Sequence, residues 1–400
     1  MKDSYKAFKI NDHVYWVGAI DWNLRNFHGY ITPRGSTYNA YLVVDEKIAL
    51  IDTVKAPFSS ELLARISSVI DPARIDYVVA NHVEMDHSGS LAVIRNFAPN
   101  AQFVADKRGA EDLNRHFKSD WNFHIVKTGD TISLGKRKLS FVEVPMVHWP
   151  DSMVTYCPEE KTLFSNDAFG QHMASHERFD DEFPWEEVRC EAAKYYANIV
   201  LPFAGPTTKA LEAVSKLDLA MIATSHGVIW RKNIEKIVSC YRDWASNKTQ
   251  KKAVIVYDTM WNSTEKMARA IAEGLVSKGI ETKFFNLRTT DVSYIMQEVL
   301  DAKAIIVGSP TLNNGMMPTV SGFLTYMKGL KPRGRIGFAF GSYGWAGGSI
   351  AAIEAELKAT GIEIARPALS YKYIPDDAEL NECFKAGEEL AKTISSPSQP

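Results

Sequence analysis

Five apolar segments, KAVIVYD, ETKFFNL, KAIIVGSP, RIGFAFGSYG and EIARPALSYKYI, follow one another between residues 252 and 374. Helical stretches such as EKMARAIAEGLVSKG and GGSIAAIEAELKATG separate them. Strands that alternate with helices read as a doubly wound parallel sheet, and such sheets bind ligands outside the carboxyl ends of their strands. No other feature of the chain restricts its fold as strongly.

The first half follows a different pattern. Short β-rich runs, HVYWVGAI, YNAYLVV and IALIDT, are separated by turn-forming residues. Beyond them ELLARISSVI and SLAVIRNFAP read as helices, and IDYVVANH, QFVAD and LSFVEVP as strands, which predicts sheets covered by helices in an αββα layering. The polar and basic run SNKTQKK, residues 246–252, lacks apolar periodicity and is the expected linker, placing one domain at residues 1–249 and another at 250–400. The terminal SSPSQP is expected to fray.

The 46 basic and 48 acidic residues nearly cancel, so no charge excess points to nucleic acid or an anionic membrane. MKDSYKAFKINDHVYW has no signal-like apolar core, and no run is long and apolar enough to span a bilayer, so the expected location is cytoplasmic. Cys157, Cys190, Cys240 and Cys383 form no CxxC pair, which argues against a disulfide framework, a zinc ribbon or an iron–sulfur centre. A metal bound here would be held by nitrogen and oxygen.

The stretch NHVEMDHSG, residues 81–89, places two of the chain's ten histidines beside two carboxylates directly after an apolar strand. Read as extended, it puts His82, Glu84 and Asp86 on one face, and a turn at Ser88-Gly89 brings His87 alongside. His148, Asp167 and His226 each follow an apolar run as well, the positions from which a sheet edge assembles a metal site out of distant sequence.

The run HxExDH with the spaced His148, Asp167 and His226 resembles the metallo-β-lactamase-like domain of the flavodiiron proteins. Hydrolytic relatives of that fold have a histidine where this chain has Glu84, and a carboxylate there makes the site harder and more anionic, favouring iron over zinc. The resemblance implies two non-haem irons with an oxo or hydroxo bridge. It places His82, Glu84 and His148 on one iron, Asp86, His87 and His226 on the other, and Asp167 between them; in the family the histidine matching His87 is not always turned toward the metal. Glu84, Asp86 and Asp167 with a bridging hydroxide would neutralise two ferrous ions. His172 and Tyr195 match positions that line the pocket and could donate protons or hydrogen bonds. His13, His28, His116, His124 and His176 receive no role.

In the second half, the loop after KAVIVYD places Thr259, Met260, Trp261, Asn262, Ser263 and Thr264 before a helix, where hydroxyls and free backbone N–H groups make an anion site. The loop resembles that of flavodoxins, with Trp261 at a position often Thr and Asn262 at one usually Gly; Asn tolerates the left-handed conformation. Two later loops end neighbouring strands: one holds Ser309, Pro310, Thr311, Leu312, Asn313, Asn314 and Gly315, the other Ser342, Tyr343, Gly344 and Trp345. Their amides suit a flavin's polar edge, and Trp345 or Tyr343 its face. FMN fits better than a dinucleotide, because no GxGxxG follows the first strand.

Together the resemblances imply a terminal oxidoreductase that reduces O2 to water, NO to nitrous oxide or both. They also imply electrons arriving from rubredoxin or its reductase, and a head-to-tail homodimer or dimer of dimers. The alternatives are a dizinc metallo-hydrolase fused to a flavodoxin-like electron carrier, and a flavin electron-transfer or sensing protein with a structural metal site.

Overall fold

In the N-terminal half, alternate residues of the same strands face two different cores, as the two-residue period of a strand requires. Leu42, Leu50 and Val78 pack with Leu62, Ile66, Leu91 and Ile94 of covering helices. Their neighbours Val43, Ile51 and Val79 face Leu139, Phe141, Met153 and Phe164 of a second sheet. That second sheet turns Val154, Tyr156 and Leu163 outward against Val214 of the Ala204–Val214 helix. The layers are therefore αββα.

The computed structural model describes residues 5–396. The chain divides into two compact units, one running to Tyr195 and resuming at Gly205–Arg242, the other comprising Tyr196–Ala204 and the chain from Asp243 onward. In the first, a seven-stranded sheet is ordered Phe8–Lys9, Val14–Trp16, Tyr41–Val44, Ile48–Ile51, Tyr77–Val79, Gln102–Ala105, Phe123–Ile125. The facing sheet is ordered Thr131–Ser133, Lys138–Glu143, Met153–Cys157, Thr162–Asn166, Met221–Thr224.

In the second unit the parallel strands run in the order Glu281–Asn286, Gln250–Tyr257, Ala302–Gly308, Ile336–Tyr343. The first strand in sequence thus lies between the second and third, and the strand order reverses there, which opens the ligand crevice of a flavodoxin-like sheet. The fifth position differs from expectation. EIARPALSYKYI forms two short strands, Glu363–Ile364 and Leu369–Lys372, both paired in parallel with Ile336–Tyr343. Pro367 lies between them, and a residue without an N–H cannot continue the ladder.

The run expected as a linker is partly strand, since Gln250–Tyr257 begins inside it. Lys252, only 5% exposed, ion-pairs with Glu298 at 2.6 Å and Asp301 at 2.7 Å. A lysine stem lies along the sheet while its charge is matched by carboxylates, and composition alone does not reveal this. Of the tail expected to fray, Ser395 ends the last helix and residues 397–400 lie outside the described residues. No helix among the described residues is long and apolar enough to cross a membrane.

Candidate metal centre and flavin pocket

NHVEMDHSG is not extended throughout. The N–H groups of His87 and Ser88 donate to Glu84 O at 3.0 and 2.9 Å, and residues Met85–Ser88 form one helical turn. Thr53 secures that turn, its N–H and hydroxyl both donating to His87 O at 2.8 and 2.6 Å. The turn has a chemical consequence. In an extended chain Glu84 and Asp86 would share a face; here Glu84 joins His82, His148 and Asp167, and Asp86 joins His87 and His226.

Asp167 stands between the two groups. Its Oδ2 lies 3.7 Å from His82 Nε2 and 3.3 Å from His148 Nε2, and its Oδ1 lies 3.1 Å from His87 Nε2 and 3.3 Å from His226 Nε2. His87 is turned inward, its Nε2 also 3.3 Å from Asp86. His82 Nε2, His148 Nε2, both His87 ring nitrogens and both carboxylate oxygens of Asp86 and Asp167 are buried without a hydrogen-bond partner among the described residues. Each such orphan costs about 1–3 kcal/mol when nothing satisfies it. Nitrogen and carboxylate donors converging from two sides fit a pair of cations.

The electrostatics agree. Burial acts to lower the pKa of His82, but Asp151 and Glu84 outweigh it and raise the value well above that of a free histidine. In the same way burial opposes Asp167 and Asp86 at His226, whose pKa is pushed up to about 10. Burial acts to raise Asp167, yet His87, His148 and His226 hold its carboxyl well below the usual range. A cluster that holds protons on imidazole through buried carboxylates is one from which divalent cations displace those protons. His172 goes the other way: burial, then the neighbouring His226 and His28, drive it well below 6.5 and keep it neutral.

Several supporting residues carry no signal in the sequence. Asp151 Oδ2 receives both His82 Nδ1, at 2.8 Å, and the Val83 N–H, at 2.8 Å. Thr37 O lies 2.6 Å from His226 Nδ1, and Ser36 Oγ lies 2.8 Å from His172 Nδ1. These contacts fix the rings' orientation. His28, given no role above, meets Glu84 through its Nε2. Phe27 beside it packs its ring 4.7 Å from His172 and 5.9 Å from His226. The Tyr195 ring stands 5.0 Å from His172, with its hydroxyl toward Asp167.

In the second unit, a cavity of about 930 Å³ opens at the carboxyl ends of the strands. Thr259, Met260, Trp261 and Ser263 line it from the first loop, Pro310, Thr311, Leu312, Asn313 and Asn314 from the second, and Ser342, Tyr343, Gly344 and Trp345 from the third. Tyr373 and Ile374 also line it; they follow the last short strand, and the rule that places ligands at strand ends could have found them. Four expected residues are not on the wall. Asn262 takes the left-handed conformation, φ 63°, and turns the chain into the Ser263–Val276 helix. Thr264 is buried against Ser342 Oγ at 3.2 Å, Ser309 Oγ accepts the Met317 N–H at 2.9 Å, and Gly315 exchanges backbone bonds with Leu312. They shape the loops that carry the wall.

The helix starting at Ser263 has no side-chain cap, so its first N–H groups are free to meet an anion. Thr259 Oγ1 is buried with no hydrogen-bond partner among the described residues. Trp261 and Trp345 are 87% and 92% exposed at the rim, large apolar rings placed where a flat ligand would cover them.

An αββα unit with this donor set at its strand ends, followed by a flavodoxin-like sheet with a cavity at its switch point, defines a protein class that combines a two-metal site with a flavin pocket. A family model described as ODP family beta lactamase matches residues 37–227, and a flavodoxin model matches residues 255–387. The chain is 49% identical over 392 residues to a nitric oxide reductase of Moorella thermoacetica, covering 96% of this chain and 98% of that one. The solved structure of rubredoxin oxygen:oxidoreductase from Desulfovibrio gigas is similar with a TM-score of 0.95 and 44% identity, over 97% of this chain and 98% of that one. The flavodiiron protein of Giardia intestinalis matches with a TM-score of 0.95 and 38% identity, over 98% of this chain and 97% of that one. The chain belongs to the flavodiiron proteins.

Proposed function

We propose that this chain is a terminal oxidoreductase that reduces O2 to water, NO to nitrous oxide or both, with a diiron site in residues 1–249 and FMN in residues 250–400. The observation that carries the reading is Asp167, whose two oxygens face two separate sets of donors. On this reading His82, Glu84 and His148 would hold one iron and Asp86, His87 and His226 the other, with Asp167 placed to serve both. When bound, the irons supply a binding place for the diatomic molecule and two electrons, and reduced FMN supplies two more.

The chain's own residues do the rest. Asp151, Thr37 and Ser36 hold three imidazoles in place from behind. Phe27 packs apolar surface against the site, which limits water there. His172 Nε2 and the Tyr195 hydroxyl are the polar atoms positioned to donate to a bound gas molecule. In the other unit, the helix N-terminus at Ser263 would receive the FMN phosphate, and Trp261 and Trp345 would flank its ring.

Electrons enter from a carrier, rubredoxin or its reductase, a reading supported by relatives named rubredoxin-oxygen oxidoreductase and flavorubredoxin. Family membership further supports head-to-tail pairing of protomers in a dimer or dimer of dimers. Activity that falls on dilution to monomers, with both cofactors retained, supports pairing, and a fully active monomer rejects it. A dizinc hydrolase is not favoured, since the relatives carry oxidoreductase names.

Metal analysis and anaerobic turnover of protein loaded with iron and FMN test the assignment. Two irons per chain and consumption of O2 or NO with reduced rubredoxin are expected; two zincs with thioester or lactam hydrolysis would overturn it.

A further inference from the structure

Reduction of O2 to two waters consumes four protons with four electrons, and coupling of two NO to nitrous oxide and water consumes two protons with two electrons. All the proposed metal donors except the half-buried Glu84 are buried, so protons need a way in. One face of the Trp185–Tyr195 helix provides it. Glu187, Glu191, Lys194 and Tyr195 are spaced at three, four and neighbouring positions, and their exposure falls steadily inward: 36% and 20% for the two glutamate side chains, 4% and 2% for Lys194 and Tyr195.

At the inner end lies a small cavity of about 10 Å³, lined by Tyr30, Ile31, Thr32, Glu191, Lys194 and Tyr195 together with His172. It is at the lower limit for one water molecule. Two of its lining residues, Thr32 and His172, each carry a buried side-chain atom, Oγ1 and Nε2, with no hydrogen-bond partner among the described residues, the condition under which a water is held. Lys194 Nζ donates to Ile31 O at 2.9 Å, anchoring the helix to the cavity wall.

We propose that Glu191 is the proton-entry residue of this protein, passing protons from bulk solvent into the cavity it shares with His172. The Glu191 carboxyl gives its proton inward to the cavity, the resulting carboxylate recovers one from solvent, and the electrons come separately from the reduced carrier through the flavin. The groups facing Glu191 are Arg34 from the loop between the Tyr30–Ile31 and Ser36–Tyr38 strands, 3.8 Å away and itself bonded to Glu187 at 2.6 Å, with Glu187 and Lys194 on its own helix and Tyr30 across the cavity. Burial raises the Glu191 pKa, Lys194 and Arg34 pull it back, Glu187 adds to the rise, and the net direction is upward, toward a carboxyl that can hold and release a proton.

This inference rests on the reductase reading, and the test separates the two. Wild-type protein loaded with iron and FMN is assayed with each gas beside E191Q and E191D, and iron content, FMN content and the rate of flavin reduction by the carrier are measured in all three. E191Q is expected to turn over roughly tenfold or more slowly with a larger solvent deuterium isotope effect, while E191D recovers most of the rate and both cofactors stay at wild-type levels. In metal-free protein, infrared titration is expected to show a protonated carboxyl persisting above the usual glutamate range and missing from E191Q. Wild-type turnover and isotope effect in E191Q would overturn the proposal, as would a rate loss that accompanies iron loss and is not recovered by E191D, or a wild-type infrared spectrum without that carboxyl. If the wild type reduces neither gas, the reductase reading fails, and the infrared band still decides whether Glu191 holds the proton.

Discussion

On the proposed reading, Glu84 is the residue on which the choice of metal turns. A carboxylate at that position keeps the site hard and anionic, and it sits within 3.5 Å of His82 Nε2 and 3.4 Å of His148 Nε2. Glu84→His is therefore expected to shift uptake from iron toward zinc when both are supplied, read by metal analysis of the purified protein; unchanged iron content would remove Glu84 from that role. Asp151 acts one step behind. With His82 Nδ1 bonded to it, the Nε2 lone pair is directed at the site, and Asp151→Ala is expected to weaken iron binding on the order of 10–100-fold in a metal titration. The motif NHVEMDHSG was legible because histidines are scarce in this chain, whereas Asp151 is one of 48 acidic residues and its partner His82 is 69 positions away.

Among the elements, the Ser263–Val276 and Asp377–Ser395 helices cross in close contact. A methyl group on Gly274 would meet Phe384 O at 2.0 Å, and one on Gly387 would meet Ile271 O at 2.2 Å, so backbone faces backbone at the crossing. Gly387→Ala is expected to destabilise by about 1–3 kcal/mol, measured by urea unfolding. Both helices could be read from periodicity, but neither glycine declares its partner across more than a hundred residues. The Lys107–Phe117 helix offers a pH test. Its cap Asp106 is buried, and that burial, reinforced by Asp151, Glu143 and Asp112 and opposed by the Gly109 N–H, pushes its pKa up to about 6. An acid raised on folding binds its proton more tightly in the native state, so its contribution is complete below about pH 4 and lost as pH rises through about 6. Relative to Asp106→Asn, which keeps a capping oxygen, wild-type stability is expected to fall by on the order of 2–3 kcal/mol between pH 4 and 7. Urea midpoints for both proteins across that range check it.

At the scale of the whole molecule, two cofactor sites in one chain predict two separable losses. Protein stripped of FMN with its iron retained is expected to lose carrier-driven gas reduction, and chelation of iron with FMN retained should abolish gas consumption while the flavin still accepts electrons. Because FMN binds only the folded pocket, FMN at about a hundred times its Kd is expected to stabilise the flavodoxin-like unit by about 2.7 kcal/mol, seen by calorimetry as a transition that moves with FMN concentration. A transition indifferent to FMN would remove the pocket at Thr259 and Trp345 as its site.

The sequence by itself determined the succession of strands and helices, the two layer types, and the placing of His148, Asp167 and His226 at strand ends, because periodicity, turn chemistry and scarce residue types act over a few neighbouring positions. The residue pattern alone put Glu84 and Asp86 on one face; their separation into two groups, which the family resemblance implies, is set by the tertiary structure. One helical turn at Met85–Ser88 separates Glu84 from Asp86. His28 reaches Glu84 across 56 positions, and Thr37 holds His226 across 189. Contacts of that kind are made when two cores close and bring strand ends together, and the local pattern of side chains carries no record of which distant residue will be waiting there.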